Sequence, residues 1–301
     1  MTDPSRRQEE DVFKIQKFES VVEDKKIDLV IRELSRVDIE MAGLQETKWF
    51  GGDSFSVGDA TVLASGRPVP AENFRRSEGV ALVLRRRAKQ AFECGGCQWK
   101  AFSSCIVTAR LNFGNDNSPS WMTVMSCYAP TFRSAQIDKD EFLAQLEAAL
   151  DAINLLDDVI VLGDFNARVV SGPQQMEMWQ GVHGSHGVVE VNEAGHSLLA
   201  FLACQQLTVC NTQFPKKRIH MYTWQHPGSQ RWHCIDYVIV RQRYRKRCMD
   251  CQVMRTAACS TDHRLIRMKY RLPDIAQQRY HRDSHPGLGD LLFIGLTGCH
   301  L

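Results

Sequence analysis

Four short polar segments of this chain carry side chains that could do chemistry. They are residues 45–48 (Gln-Glu-Thr-Lys), 163–166 (Gly-Asp-Phe-Asn), 235–237 (Ile-Asp-Tyr) and 261–263 (Thr-Asp-His). Each segment lies inside or at the end of a strongly apolar stretch, which is typical of a buried β-strand. Carboxylates, an amide and a histidine that converge at strand ends can bind a divalent cation and a phosphate. The four segments together therefore predict one site for phosphate chemistry.

Asp164 and Asn166 follow an apolar strand and are two residues apart, so both side chains can point to the same side. The carboxylate could then take a proton from a water molecule while the amide holds a phosphate oxygen. The alternative is a turn in which both side chains bond to local backbone groups. The other three segments favour the catalytic interpretation.

Glu46 is the first candidate metal ligand because it follows the end of an apolar strand. Mg²⁺ or Mn²⁺ binds one or two carboxylates and fills its other positions with water and substrate oxygens. Asp262 can supply the second carboxylate. The adjacent His263 could donate a hydrogen bond to a phosphate oxygen or act as a base.

Asp236 lies within an apolar strand, and a buried carboxylate needs a partner. The ring N–H of His263 is the predicted partner, and such a pair would fix the tautomer of the ring. A salt bridge to an arginine is the alternative. Tyr128, which precedes Ala129 and Pro130, could place its hydroxyl on the phosphate or could be an ordinary core tyrosine.

Helices alternate with pairs of strands along the chain, which predicts two sheets packed face to face with helices outside. Helices are predicted at residues 13–36, 138–154 and 193–206. Strands are predicted at residues 39–44, 61–64, 79–84, 105–111, 121–128, 159–162, 207–211, 222–224, 235–240 and 265–270. The periodicity fades after residue 272. We therefore expect a polar segment at 1–12, one domain at 13–272 and a poorly ordered tail at 273–301.

The charge is nearly balanced, with 37 basic and 35 acidic residues and a net charge of +2, so nucleic acid could be attracted only by local clusters. Three basic clusters occur, at residues 85–87, 216–218 and 241–247. Lys216, Lys217 and Arg218 lead toward the aromatic Trp224, and cations beside aromatic rings suit phosphate contacts and base stacking. Solvated loops are the alternative for each cluster.

The eleven cysteines are not preceded by a secretory signal, and no apolar window is long enough for a membrane span. We expect an intracellular protein with reduced thiols that is neither secreted nor bound to a membrane. Two cysteine pairs, 94/97 and 248/251, have the spacing of zinc ligands. Ordinary reduced thiols are favoured over a metal or redox site, because the pairs lie far apart in the chain.

These motifs resemble the endonuclease/exonuclease/phosphatase superfamily over about residues 36–272. Residues 44–48 look like the branch of apurinic-site and retrotransposon endonucleases. Residues 222–224 followed by 235–238 look most like the endonucleases of non-LTR retrotransposons and the craniofacial development protein 2-like proteins. The resemblance implies an α/β fold, a four-layer α-β-β-α sandwich of two mixed sheets. It also implies hydrolysis of phosphodiesters in duplex DNA with Mg²⁺ or Mn²⁺, by a retrotransposon-derived nuclear rather than cytoplasmic protein.

The same resemblance implies roles for the catalytic side chains. Glu46 would hold the metal, Asp164 would activate the attacking water, and Asn166 and Tyr128 would bind the scissile phosphate.

The remaining candidates would support these groups. Asp262 would assist the metal or His263, and Asp236 would orient His263. Lys48 and Trp224 would face the nucleic-acid strand.

The chain departs from the family pattern at its N-terminus. The family begins with a buried strand that carries an Asn-containing motif, and nothing in this sequence matches it, so the first strand is expected to be missing. N-terminal residues could fill the gap that this leaves beside the neighbouring strand. The alternative function is therefore a catalytically impaired nucleic-acid- or protein-binding module from a truncated or domesticated element. A phosphoesterase for lipids or nucleotides is a third hypothesis, which the basic and aromatic loop disfavours.

Overall fold

Two β-sheets pack face to face, and helices cover their outer sides. The computed structural model describes residues 26–68, 78–170, 177–255, 262–272 and 290–296, the last range as backbone only. The helices are α1 (residues 26–36), α2 (Arg86–Cys94), α3 (Gln136–Asp151) and α4 (Glu193–Cys204). None of the helices in these ranges combines the length and the apolar character that crossing a membrane requires.

Seventeen strands are present in the described ranges. They are β1 (Met41–Gln45), β2 (Gly52–Val57), β3 (Ala60–Ser65), β4 (Val80–Arg85), β5 (Gln98–Ser103), β6 (Ile106–Asn112), β7 (Trp121–Tyr128), β8 (Asp158–Asp164), β9 (Val169–Val170), β10 (Glu190–Val191), β11 (Leu207–Val209), β12 (Trp224–Gln225), β13 (Trp232–His233), β14 (Asp236–Arg241), β15 (Cys248–Met254), β16 (Leu265–Arg271) and β17 (Asp290–Leu296). Short 3-10 helices occupy Cys210–Thr212, Arg218–His220 and Gln242–Arg247.

One sheet has seven strands in the order β15-β16-β17-β1-β4-β3-β2, and the other has six in the order β11-β14-β8-β7-β6-β5. Both mix parallel and antiparallel pairs. Two small ribbons, β9–β10 and β12–β13, lie outside them. The predicted sandwich of two mixed sheets is confirmed.

Central strands are apolar at most positions between their ends because both of their faces are covered. In β8, Ile160 and Leu162 belong to the core between the sheets, whereas Val159 and Val161 pack under α3 and α4. The helix α1 covers the outer face of the other sheet. The molecule therefore has the four layers α-β-β-α.

The strand β17 holds a central position although it lies near the end of the chain. It pairs in parallel with β1 and antiparallel with β16. The sequence places residues 290–296 in a tail and suggests N-terminal residues for the gap beside β1; the structure instead puts this C-terminal strand there. A run that is apolar at almost every position shows no periodicity, which is why the pattern hides a buried strand. The N-terminal segment at 1–12 lies outside the described residues.

The first basic cluster is neutralised within the fold. Arg85 is buried and binds Asp59 at 2.8 Å, Arg86 pairs with Asp38, and an oxygen of Glu40 lies 4.0 Å from Arg87. Arg85 ends β4, and α2 begins directly after it with an apolar face that the sequence pattern did not indicate. The hypothesis that residues 85–87 attract nucleic acid is therefore not supported by their surroundings.

Most other predicted elements are present but differ at their ends. Of the strand predicted at 222–224 only Trp224 lies in a strand, and the strand predicted at 207–211 ends at Val209, where a 3-10 helix follows. The helix predicted at 138–154 spans Gln136–Asp151, and the one predicted at 193–206 spans Glu193–Cys204. Of the helix predicted at 13–36, residues 26–36 are helical and the rest lie outside the described residues. The strands β2, β5 and β15 have no counterpart among the predicted strands, because their mixed composition lacks a strong apolar signal.

Candidate active site

One row of side chains crosses three strands of the six-stranded sheet. Tyr128 at the end of β7 pairs with Asp164 at the end of β8, and Asp164 pairs with Asp236 at the start of β14. Because alternate residues of a strand share a face, these three side chains point toward the second sheet, as the core residues Leu162 and Val238 of the same strands do. Strand register alone thus brings the predicted residues Tyr128, Asp164 and Asp236 next to one another.

Asp236 and His263 form the predicted contact. The Nδ1 atom of His263 lies 3.0 Å from Oδ2 and 3.2 Å from Oδ1 of Asp236, and both residues have almost wholly buried side chains. A carboxylate on one ring nitrogen fixes the orientation of the imidazole and directs the other nitrogen outward. That second nitrogen, Nε2, lies 4.0 Å from Oδ2 of Asp164.

Asp164, Asp236 and His263 offer ligand atoms that lie within 4.8 Å of one another, so they form a candidate metal site. In the part of the chain that is described, the converging group does not include Glu46 or Asp262. The assignment of these two carboxylates as the metal ligands therefore stays a prediction.

The electrostatic surroundings favour proton transfer between these groups. Burial, followed by the neighbouring Asp236 carboxylate, raises the pKa of Asp164 well above its usual range. Burial opposes the charged form of His263, but Asp236 and Asp164 outweigh it and raise the pKa of His263 to about 9. An imidazole with that pKa is cationic at neutral pH and can donate a proton from Nε2.

Glu46 reaches the site from the opposite sheet. Its Oε1 accepts a 2.6 Å hydrogen bond from the hydroxyl of Tyr128. The end of β1 is held to β7 by Gln45, whose Nε2 donates to Oγ of Ser126 at 2.9 Å. Glu46 itself has a φ of 56°, a left-handed conformation that turns the chain out of β1. Burial and then the charge of Glu46 raise the pKa of Tyr128, so its hydroxyl remains a hydrogen-bond donor.

Asn166 is held beside the loop that follows β7. Its Nδ2 donates to the carbonyl of Ala129 at 2.9 Å, and its backbone N–H donates to Oδ1 of Asp164 at 2.8 Å. The local turn that was weighed as the alternative is present, with Asn166 at a φ of 48°. An amide has two N–H donors, so a second one is left for a ligand.

Trp224 and Asp262 lie beside His263 at one side of the site. The indole Nε1 donates to Oδ2 of Asp262 at 3.1 Å, and the indole lies 6.1 Å from the ring of His263. A backbone bridge also joins Trp224 to His263. The residue predicted to stack on nucleic acid thus lies directly beside the central histidine.

The predicted cationic contacts lie outside the hydrogen-bonded array around His263. Lys216 pairs with Asp250 at 2.5 Å, Arg218 donates to the hydroxyl of Tyr222 at 3.0 Å, and Lys217 is exposed. Lys48 is half-buried in the turn after Glu46. Their contacts with nucleic acid stay a prediction.

Thr223 was not identified from the sequence, yet it connects the three segments of the site. Its Oγ1 accepts the backbone N–H groups of Ile235 at 3.0 Å and Asp236 at 3.3 Å, and its carbonyl accepts the N–H of Arg264 at 2.6 Å. Asn211 plays a similar part, since its Nδ2 donates to the Asp236 carbonyl at 3.1 Å. A hydroxyl or amide that bonds to distant backbone gives no local signal in the sequence.

We expect Thr223→Val to reduce activity and stability together. The substitution leaves two buried N–H groups without an acceptor, which costs about 1–3 kcal/mol of unfolding free energy. Because one of them belongs to Asp236, we also expect slower turnover. Thermal unfolding and nicking assays would measure both, and Thr223→Ser, which keeps the hydroxyl, should restore most of the loss. A serine variant as impaired as the valine variant would show that the hydroxyl is not the cause.

Comparisons with known proteins agree with this fold. The family described as "Endonuclease-reverse transcriptase" matches residues 122–267. Craniofacial development protein 2 from Bos taurus is 31% identical over 247 residues, which are 82% of this chain and 39% of that protein. The protein of the same name from Tragulus javanicus is 30% identical over 82% of this chain and 40% of its own length. The chain thus spans about two fifths of the length of these curated relatives.

Three solved structures share the fold at low sequence identity. An AP endonuclease from Leishmania major has a TM-score of 0.58 at 14% identity, with 83% of each chain covered. A 3′ phosphatase from Neisseria bound to a product DNA hairpin has a TM-score of 0.53 at 17% identity, with 81% of this chain and 94% of that chain covered. The endonuclease domain of a telomere-specific non-LTR retrotransposon has a TM-score of 0.51 at 15% identity, with 79% and 89% covered. With this fold and these relatives, the chain belongs to the endonuclease/exonuclease/phosphatase superfamily.

Proposed function

We propose that the chain is a divalent-metal-dependent DNA endonuclease that hydrolyses phosphodiester bonds. The observation that carries this proposal is the row of Asp236, His263 and Asp164, in which one carboxylate orients the imidazole and the other faces its free nitrogen. A structural ion pair would not require a second buried carboxylate on the far side of the ring.

Each residue has a role that follows from its contacts. Asp164 would take the proton of the attacking water, since its raised pKa makes it a better base than an ordinary carboxylate. Asp236 would orient His263, which would stabilise the negative charge that develops on the phosphate. Asn166 would donate a hydrogen bond to a phosphate oxygen, and Tyr128 would do so when its single O–H proton turns from Glu46 to the phosphate.

The oxygen ligands present fit a hard cation. Glu46 has one oxygen engaged by Tyr128, which leaves its second oxygen for a metal, and Mg²⁺ or Mn²⁺ is commonly held by one or two carboxylates. Glu46 would hold the ion, and Asp262 would assist it. When bound, the ion would offset the charge of the phosphate. Glu46 would in turn be fixed by Tyr128 from the opposite sheet.

DNA is the proposed substrate for two reasons. The structural neighbours include an AP endonuclease, a retrotransposon endonuclease and a phosphatase with a DNA product. In addition, exposed Lys217 and Arg218 precede Trp224, whose ring lies beside His263 and can stack on a base. A retrotransposon-derived enzyme for duplex DNA would act in the nucleus.

We expect Glu46→Gln to raise the Mg²⁺ requirement for nicking supercoiled plasmid. Loss of one carboxylate ligand should weaken the apparent metal affinity by about tenfold or more, and excess Mg²⁺ should restore part of the activity. Nicking would be followed across a Mg²⁺ titration, with chelator as the blank. Glu141→Gln, at an exposed position of α3, is the matched control. An unchanged Mg²⁺ requirement in Glu46→Gln would remove Glu46 from the metal site.

The alternative, a catalytically impaired binding module, is tested by the same assay. It predicts that the wild-type chain and Asp164→Asn bind DNA equally and that neither nicks it above the chelated blank. Nicking by the wild type that Asp164→Asn loses would exclude this alternative.

A further inference from the structure

The third basic cluster lies at the end of the sheet opposite the candidate active site. It consists of Arg241, Arg243, Arg245, Lys246 and Arg247, at the end of β14 and in the 3-10 helix that follows. Because β14 begins at Asp236, five residue steps of about 3.4 Å put the cluster about 17 Å from the site. The cluster therefore does not extend the active-site mouth.

Most of these cations form no ion pair with a carboxylate of the described residues. Arg247 pairs with Asp158, and Arg245 donates to the neutral Oε1 of Gln213 at 2.7 Å. Among the described residues, no carboxylate forms an ion pair with the other three members of the cluster, and the buried Nε of Arg241 has no hydrogen-bond partner. Burial and the like charge of Arg243 lower the pKa of Arg241, so the cluster repels itself.

The cluster at residues 85–87 of the same molecule differs, because carboxylates neutralise its positive charges. There each arginine faces its own carboxylate, as the ion pairs of Arg85 with Asp59 and Arg86 with Asp38 illustrate. At 241–247, four of the five cations form no ion pair among the described residues, and Asp157 and Asp158 offset only part of their charge, so a local positive potential remains.

The cluster is held rigidly rather than in a loose loop. The backbone N–H of Gln242 donates to the carbonyl of Gln206 at 2.8 Å, and the hydroxyl of Tyr244 donates to the carbonyl of Leu156 at 3.3 Å. The ring of Tyr244 lies near two guanidinium groups, 4.7 Å from that of Arg243 and 4.6 Å from that of Arg247. These contacts tie the segment that carries the charges to neighbouring parts of the fold.

We propose that the cluster at residues 241–247 is a second binding site for a nucleic-acid backbone, separate from the active site. Side chains three apart in a 3-10 helix lie on one face about 6 Å apart. The separation of Arg243 and Lys246 is therefore close to the rise of about 6.8 Å over two phosphate steps of one DNA strand. Arginine also binds phosphate oxygens in pairs, and four of the five cations are arginines. The carboxylates of an acidic peptide are carried by flexible side chains and lack this regular spacing.

The test counts bound duplexes in the presence of chelator, so that it does not depend on catalysis. We expect the wild-type chain to bind two DNA duplexes of about 10 base pairs, one helical turn. The triple variant Arg243→Gln, Arg245→Gln, Lys246→Gln should bind one. These three side chains are exposed and form no ion pair in the described chain, so the fold should persist. The matched control is Arg32→Gln, Lys89→Gln, Lys100→Gln, which removes the same charge elsewhere and should still bind two.

Salt dependence supplies a second measurement. Loss of three phosphate contacts should lower the slope of log affinity against log salt at the weakened site by about 2.7. One bound duplex in the wild type, or two in the triple variant, would overturn the proposal. So would a polyglutamate competitor that displaces DNA from this site as well as a DNA competitor does. Two bound duplexes without any nicking would support the second site while contradicting the proposed endonuclease.

Discussion

Replacing His263 with Ala should lower the rate of DNA nicking by about three orders of magnitude, since general acid–base groups contribute about 10²–10⁴. The imidazole is the group between the two buried carboxylates, with Nδ1 at 3.0 Å from Asp236 and Nε2 at 4.0 Å from Asp164. The adjacent aromatic ring, that of Trp224, has no basic nitrogen that could replace the imidazole. Single-turnover nicking of supercoiled plasmid would measure the loss.

Removal of the ring also leaves the Asp236 carboxylate buried without its histidine, which could lower stability. The double variant His263→Ala, Asp236→Asn removes that charge and keeps the test informative. If Asp236 acts through His263, the double variant should be no slower than His263→Ala alone, because residues that act as a unit are not additive. His196→Ala, at an exposed position of α4, is the control for the substitution itself. Full activity in His263→Ala, or additive losses in the double variant, would contradict the assignment.

Deletion of β17 should have the largest effect on stability. Residues Phe293–Leu296 pair with β1, and Asp290–Gly295 pair with β16, so this strand joins two parts of the seven-stranded sheet. Without it, both neighbours expose a row of unpaired backbone groups. At about 1 kcal/mol for each of these hydrogen bonds, the loss approaches the whole stability of a typical domain.

The deletion should also abolish nicking, because β1 leads to Glu46 and β16 begins two residues after His263. A chain that ends at residue 289 lacks β17, whereas one that ends at residue 296 keeps it and serves as the control. Thermal unfolding and size-exclusion chromatography would compare the two. If both chains unfold at the same temperature, β17 does not hold the sheet together.

A hairpin of the chain shows where local sequence information is sufficient. Apolar runs at residues 105–111 and 121–128 around a Gly- and Asn-rich segment predict two paired strands, and β6 and β7 are such a pair. The turn that the sequence offers as the alternative for Asp164 and Asn166 is also local, because the backbone N–H of Asn166 donates to Oδ1 of Asp164 two residues earlier. Strand alternation and turn residues are properties of a few neighbouring positions, so the sequence contains them directly.

Only the tertiary structure decides which distant segments meet. The sequence alone indicates that Asp236 needs a partner, but strand register and Thr223 determine that both of its oxygens face a ring 27 residues away. Likewise, two arginine clusters look alike as sequence, yet each arginine at 85–87 faces its own carboxylate, whereas at 241–247 Arg247 alone forms an ion pair among the described residues. β17 looks like a tail until β1 and β16 are placed on either side. Local pattern specifies the kind of element. The partner depends on free energy gained between segments far apart in the chain, which no short stretch of sequence contains.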